Sequence, residues 1–493
     1  MTATARLMRS HSPADGPFRV LSASGQLGYG IAPEALARGM ARQPHALGCD
    51  MGSIDPGPYY LGSGQMAAPA AMVRRDLELV LLAALGAGIP LVIGSAGTAG
   101  AGPQLDATVA MVRDIAGQHG LRFRLSTIRS DVPAELVVDA LRAGRLRDVG
   151  ASDAATGHGD EDALSEAAQP AGLPLPWPTE AGIRACSHIV GQCGSETFRR
   201  ALATEPDVLI AGRACDTAIF AALPELLGYP SGLCLHMAKI IECTSLCCRP
   251  GGRDAMLAEL SLDGFTLESM NPALHATPAS VAAHALYEQA DPFEFEEPEG
   301  TLHLRGARYE ALDEHRTRVS GAQFVARARP TLKIEGALRL GARAVLLAGV
   351  ADPTLLQQLP AALRAVEARV RGLLPGDWAV YPHVYGQGAV RDLPAAQHNL
   401  HEAGLMIEFI APDAELARTA AAVFKQNLLH FGYPGRVSTA GNLAFAFTPS
   451  ELDAHDAYRF ALYHVMQDAP LEAIFHVESC QIDGTAGGAS TAT

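Results

Sequence analysis

Apolar residues in the first half of the chain come in two alternating textures. Short, almost wholly apolar runs are followed by longer stretches with one apolar face at helical spacing. The runs predict strands at 18–25, 46–49, 89–94, 122–128 and 206–212. The intervening pattern predicts helices over 33–42, 69–85, 106–119, 133–143, 197–204, 216–227 and 237–248. Such alternation implies βαβ units, so the fold class expected is α/β, an N-terminal parallel sheet layered with helices (Rossmann-like). From about residue 253 the texture changes to alternating strands and fewer helices, an α+β half. Strands are expected at 256–262, 301–305, 316–325, 331–335, 342–350, 379–385, 406–410, 442–447 and 473–479. Helices are expected at 355–373, 414–429 and 457–466. Three domains follow: 1–252 with the candidate site, 253–400, and a small α+β segment 401–493 with a mobile tail. The stretch 151–178, rich in Ala, Gly, Asp and Pro, interrupts the alternation and reads as a surface excursion or lid.

Composition narrows the partners. With 493 residues, 48% hydrophobic and 18% charged, the chain has ample apolar material for a core. A formal charge of −15 argues against a nucleic-acid surface and gives no attraction to anionic membranes. The apolar run 77–91 is broken by Gly86, Gly88 and Pro90 and is too short to span a bilayer. The N-terminus lacks the apolar core of a signal peptide, and nine scattered cysteines suit reduced thiols, so a cytoplasmic protein is expected. A homo-oligomer is expected on the general habit of soluble enzymes.

The densest candidate chemistry follows the strand at 46–49. Asp50, Asp55, Tyr59 and Tyr60 share one glycine-rich turn segment at a strand's carboxyl end, where α/β enzymes bind ligands. Either aspartate can serve as base and either tyrosine as donor; turn-capping aspartates are the plain alternative. The pair allows a divalent cation, but no third carboxylate stands at ligand spacing, so no metal site is assigned. The ribbon 94–102 follows a buried strand and offers backbone N–H groups, with Ser95 and Gly97 as a cradle for a carboxylate or phosphate. Its spacing is neither a Walker pattern nor a dinucleotide fingerprint. Arg213, after the strand at 206–212, suits bidentate capture of a carboxylate; Asp216 reads as a helix N-cap or a polar contact. Cys215 reads as a small core residue more readily than as a nucleophile. His236, Lys239 and Glu242 share a helix, giving either a proton-transfer pair or an ion pair. Cys243, Cys247 and Cys248 have the wrong spacing for a metal cluster. His284 reads as a core histidine, and His383 is a weak site candidate.

Four segments together resemble a known family: 50–60, 212–216, 236–243 and 440–445 look like the acyclic terpene utilisation (AtuA-like) proteins. The resemblance implies catabolism of branched carboxylic acids or their CoA thioesters, but assigns no catalytic residues. Segment 436–442 differs from the Ser-Gly-Asp-Lys-Gly of the terpene members, so the acid is not narrowed to a terpene.

The expectation is therefore a catabolic enzyme acting on a small branched carboxylic acid or its acyl-CoA thioester by lyase or hydratase chemistry. Asp50 or Asp55 would be the base, Tyr59 or Tyr60 the donor, and His236 a proton-transfer group. Ser95, Gly97, Arg213, Asp216 and Lys239 would hold substrate. No redox cofactor is expected; any other cofactor is unknown. The alternative is a non-catalytic protein that binds an acid metabolite or supports a partner enzyme.

Overall fold

In the computed structural model, which describes residues 1–149, 177–286, 291–390, 401–437 and 440–484, the alternation of the first half becomes a parallel core. The chain opens with α1 (Ala3–Ser10), β1 (Phe18–Ser24), α2 (Pro33–Ala41), β2 (Ala46–Asp50), α3 (Pro58–Ser63), α4 (Ala70–Ala87), β3 (Leu91–Gly94), α5 (Gly102–His119) and β4 (Arg122–Arg129). It continues through α6 (Ala134–Arg142), β5 (Leu146–Asp148), α7 (Glu180–Arg184), β6 (Cys186–Gly191), α8 (Ser195–Leu202), β7 (Val208–Ala211), α9 (Asp216–Leu226) and α10 (Ser231–Ile241). Then come β8 (Met256–Leu260), β9 (Phe265–Ser269), α11 (Pro278–Ala285), β10 (Glu294–Glu297), β11 (Gly300–His303), β12 (Arg308–Ala311), β13 (Arg316–Ser320), β14 (Gln323–Ala326) and β15 (Thr331–Val350). The remainder is α12 (Pro353–Leu373), β16 (Ala379–Tyr385), β17 (Ala403–Ala411), α13 (Ala414–Leu429), β18 (Glu451–Gln467), α14 (Leu471–Ile474) and β19 (His476–Asp483).

Contacts divide the chain into two units, Met1–Leu338 with Phe460–Thr493, and Arg339–Arg459. The expected boundaries at 252/253 and 400/401 do not coincide with this division. Strands β8, β9, β12 and β13 lie beyond residue 253 yet extend the large sheet, because β8 pairs antiparallel with β1. That sheet has the order β12-β13-β9-β8-β1-β2-β3-β7-β4-β19, with β1, β2, β3, β7 and β4 parallel. One face packs Leu36, Val73, Leu77, Leu81, Val112 and Ile115 of α2, α4 and α5. The other face packs Phe198, Ile219, Phe220, Leu233 and Ile240 of α8, α9 and α10. Strands β2, β3 and β7 are buried on both faces, which is why they read as apolar runs, whereas β4 alternates buried Phe123, Leu125 and Ile128 with Arg122, Arg124 and Arg129. The fold is thus mixed α/β, with further antiparallel sheets.

The second unit has the order strand–helix–strand–strand–helix–strand, a split βαβ arrangement. Its strands are the second half of β15, β16, β17 and the first half of β18, with α12 and α13 packing Leu359, Val366 and Phe424 on Leu346, Ile407 and Phe409.

Several expected elements are corrected. Residues 457–466 belong to strand β18, not to a helix; helix-forming composition yielded to cross-strand pairing, with β5 at His464–Met466. The expected strand 316–325 is two strands broken at Gly321, whose φ of 86° an L side chain rarely adopts. The strands expected at 331–335 and 342–350 merge into β15. Residues 442–447 make only an isolated bridge, Ala444 with Gly349. The helix expected at 237–248 is α10, which starts at Ser231 and stops at Ile241. The lid expected at 151–178, except for its last two residues, and the tail beyond 484 lie outside the described residues.

Candidate functional site

Parallel pairing in register brings distant residues to one end of the sheet. Asp50, the last residue of β2, pairs with Gly94 at the end of β3, and Ser95 follows directly. Ile93 pairs with Ile210 of β7, so Arg213 emerges beside them. Here the connections diverge: α4 and α5, which precede and follow β3, lie on one face, while α9, which follows β7, lies on the other. Such a divergence opens a crevice at the strands' carboxyl ends in α/β sheets.

Close backbone approach fixes the geometry. Gly100 has a φ of 68°, and a Cβ there would meet the Arg213 backbone nitrogen at 2.0 Å. The Arg213 N–H donates to the Gly100 carbonyl at 3.1 Å, locking the glycine ribbon to the arginine turn. Gly97, with a φ of 68°, abuts the Gln104 side chain. Ser95 and Thr98 hold φ of 47° and 107°, left-handed backbone that a plain turn would give to glycine. On the β1 side, a Cβ on Gly25 would meet the Glu242 carbonyl oxygen at 2.7 Å, so only glycine lets the end of α10 close on the sheet.

The charged groups form a buried network. Arg213 is 4% exposed and Glu335 of β15 is wholly buried. Arg213 Nε donates to Glu335 Oε2 at 2.8 Å and Nη2 to Oε1 at 3.3 Å. Its Nη1 donates to Ser95 Oγ at 3.3 Å and lies 3.9 Å from Asp216 Oδ1. Lys333 Nζ is 3.5 Å from Glu335 and Gln192 Nε2 donates to it at 3.1 Å. Burial opposes the charge of Glu335, but Arg213 and Lys333 outweigh it and hold its pKa below the usual value. Burial likewise opposes the charge on Arg213, and Glu335 with Asp216 and Asp50 more than offsets it. Lys239 donates to Glu242 at 2.5 Å, both buried, and this pairing keeps Lys239 protonated against its burial.

Asp50 is different. It is 5% exposed, and its Oδ1 has no hydrogen-bond partner. Burial raises its pKa well above the carboxylate range; Asp216 adds to the rise, Arg213 opposes it and Glu242 adds again. A backbone hydrogen bond from Met51 opposes the rise. A buried carboxyl with one oxygen unpartnered and a raised pKa marks a functional group more often than a structural one. Asp216, its neighbour in this field, is the first residue of α9, and its side chain is 31% exposed. The N-cap of α9 is Cys215, not Asp216 as expected. Cys215 stays a thiol, because burial, Glu297 and Glu299 push its pKa up.

The remaining expected residues lie as follows. Asp55 is exposed, its Oδ2 accepting from Ser53 Oγ at 2.6 Å, a local turn contact. Tyr59 and Tyr60, half-buried on α3, meet edge to face at 5.3 Å. Ile54 and Leu61 of the same segment pack on Ala99 and Ala101, so this segment does sit against the glycine ribbon. His236 is fully buried, its Nε2 3.1 Å from Tyr309 Oη, its ring edge-on to Phe265. Burial pushes its pKa down to about 3, so it stays neutral and pairs with neither Lys239 nor Glu242, correcting the expected proton-transfer role. Arg213 is corrected as a free carboxylate clamp: its fork is already filled by Glu335. His284 is buried in α11, and His383 pairs with Glu408 at 2.9 Å in the second unit.

Sequence reasoning missed Glu335, Lys333, Gln192 and a further buried pair, Glu297 and Glu299. Glu297 accepts from Thr217 Oγ1 at 2.9 Å; burial and Glu299 push its pKa up to about 8. Burial pushes Glu299 up to about 7. The signal for the first pair was present: Lys333 and Glu335 occupy one face of a strand whose other face is Leu332 and Ile334, wholly apolar.

With the geometry described, comparison with known proteins adds one finding. Residues 268–452 match the model of the family described as "Acyclic terpene utilisation family protein AtuA". Over that stretch the chain is similar to this family. The match includes Glu297, Glu299, Lys333 and Glu335 and the segment 440–445; Asp50, Ser95, Arg213, Asp216, Lys239 and Glu242 lie outside it. No curated protein and no solved structure matches the chain. Among the described residues, no helix is long and apolar enough to cross a membrane, and no group of three or more His, Cys, Asp or Glu is arranged to hold a metal ion. None of the nine cysteines forms a disulfide.

Proposed function

We propose that this chain is a catabolic enzyme that adds or removes water on a small branched carboxylic acid or its CoA thioester, working in the cytoplasm as a homo-oligomer. The family's description ties that catabolism to acyclic terpene utilisation. The observation that carries the reading is Asp50: buried, unpartnered at Oδ1, its pKa raised by burial, and set in the field of the half-open Asp216. Two carboxyl groups near enough for one to raise the other's proton affinity can divide the roles of acid and base. In the dehydrating direction the Asp216 carboxylate takes the proton α to the carbonyl. The electron pair left on carbon forms the new double bond as the β C–O bond breaks, and Asp50 gives its proton to the departing hydroxyl, which leaves as water. The proton on Asp216 then returns to Asp50, directly or through solvent. Negative charge that develops on the carbonyl oxygen is met by Ser95, which Arg213 Nη1 polarises by donating to its Oγ, and by the N-terminal end of α9.

The test is turnover of a panel of branched β-hydroxyacyl thioesters, followed by the absorbance of the conjugated enoyl product. Asp50→Asn and Asp216→Asn should each lower kcat by about 100-fold or more, the usual worth of a positioned acid or base. Binding without turnover in the wild type would favour the alternative, a metabolite-binding or scaffold protein.

A further inference from the structure

We propose that the substrate's reacting end enters this site uncharged, as an acyl thioester, and that the free carboxylate is excluded. The inference rests on the proposed acid–base site and narrows its substrate class. A buried carboxylate is tolerated only beside a cation able to hydrogen-bond it. Each of the three buried or half-buried cations described in the network, of which Arg213 acts on Asp50 directly, is already committed to a carboxylate of the chain. Arg213 and Lys333 hold Glu335, and Lys239 holds Glu242. Asp50 and Asp216 then remain as further acids on the same crevice, so a second carboxylate would add negative charge with no counter-charge left.

The groups that are left suit a neutral carbonyl. Ser95 Oγ and the first turn of α9 supply partial positive charge, while Arg213 Nη1, which donates to Ser95 Oγ and to the Ala214 carbonyl, has no free ion-pairing face. The unpartnered Oδ1 of Asp50 suits a hydroxyl, as on the β carbon of a hydroxyacyl group. Among neutral acyl derivatives the thioester is favoured by chemistry, because its α hydrogen is more acidic than that of an ester, an amide or a carboxylate. A carboxylate base such as Asp216 has reach only to the most acidic of these.

The experiment uses matched pairs over the purified full chain. β-Hydroxyisovaleric acid and other branched β-hydroxy acids are each compared with their N-acetylcysteamine and CoA thioesters, by thermal shift and by equilibrium dialysis. The thioesters should bind at least about tenfold more tightly than their parent acids. Glu335→Gln, which frees one face of Arg213, should let the free acids bind and narrow that gap. Wild-type chain that binds free acids as tightly as their thioesters overturns this inference and leaves the acid–base site standing. Wild-type chain that binds neither form across the panel overturns the acyl reading itself, and this inference with it.

Discussion

Glu335→Ala is the most informative single perturbation of the network. It deletes the carboxylate that meets Arg213 at 2.8 and 3.3 Å and leaves the guanidinium 4% exposed. Two unit charges about 4 Å apart attract by about 4 kcal/mol at an effective dielectric near 20. Asp216 Oδ1, 3.9 Å away and half open to water, replaces little of that. Removal of one partner from a buried pair therefore should cost about 3–5 kcal/mol. The double variant Arg213→Met/Glu335→Leu removes both charges and fills the space, and should cost no more than about 1 kcal/mol. Lys333, whose side chain is 26% exposed, can turn to solvent when Glu335 is lost. The assay is urea unfolding of the two single variants and the double. The coupling energy should reach at least about 2 kcal/mol. Strict additivity, with coupling under about 0.5 kcal/mol, would refute the claim that Glu335 has claimed the guanidinium.

Further predictions concern residues inside and outside the network. Glu297 has a folded pKa of about 8 against an ordinary 4.5, so the folded state binds more protons between those values and stability falls as pH rises through that window. Glu297→Gln should flatten that decline in a series of urea midpoints; an unchanged slope would show that Glu297 titrates normally. His236→Phe should leave thioester binding unchanged, because the ring is neutral and enclosed by Phe265 and Tyr309; a large loss of binding would return His236 to the site. Asp55→Asn should shift stability by less than about 0.5 kcal/mol and leave binding intact, as expected for an exposed turn residue. Lys239→Met should cost about 3–5 kcal/mol in unfolding free energy by stranding Glu242, and Lys239→Met/Glu242→Leu should recover most of it.

The parts of the fold that were legible in the sequence are those governed by local pattern. The parallel strands β2, β3 and β7 are buried on both faces and announce themselves as apolar runs; α13 and β16 match their expected limits. Strand β18 was not legible, because Ala457, Leu462 and Met466 point inward only once its neighbours are known. The same limit governs the site. Asp50, Ser95 and Arg213 sit at strand ends, where βαβ logic points. Glu335 lies 122 positions from Arg213 on a strand that pairs with β6, and nothing local joins the two. Asp50 and Asp55 look equivalent in sequence, five residues apart in one turn-rich segment. Only burial separates them, the first closed under α9 and α10, the second open to water.

The central claim, that Asp50 stands as a neutral acid at the strand ends, is tested most directly by infrared difference spectroscopy of wild type against Asp50→Asn at neutral pH. A protonated-carboxyl C=O band present in the wild type and lost in the variant is the result predicted. A difference spectrum containing only ionised carboxylate bands would contradict it.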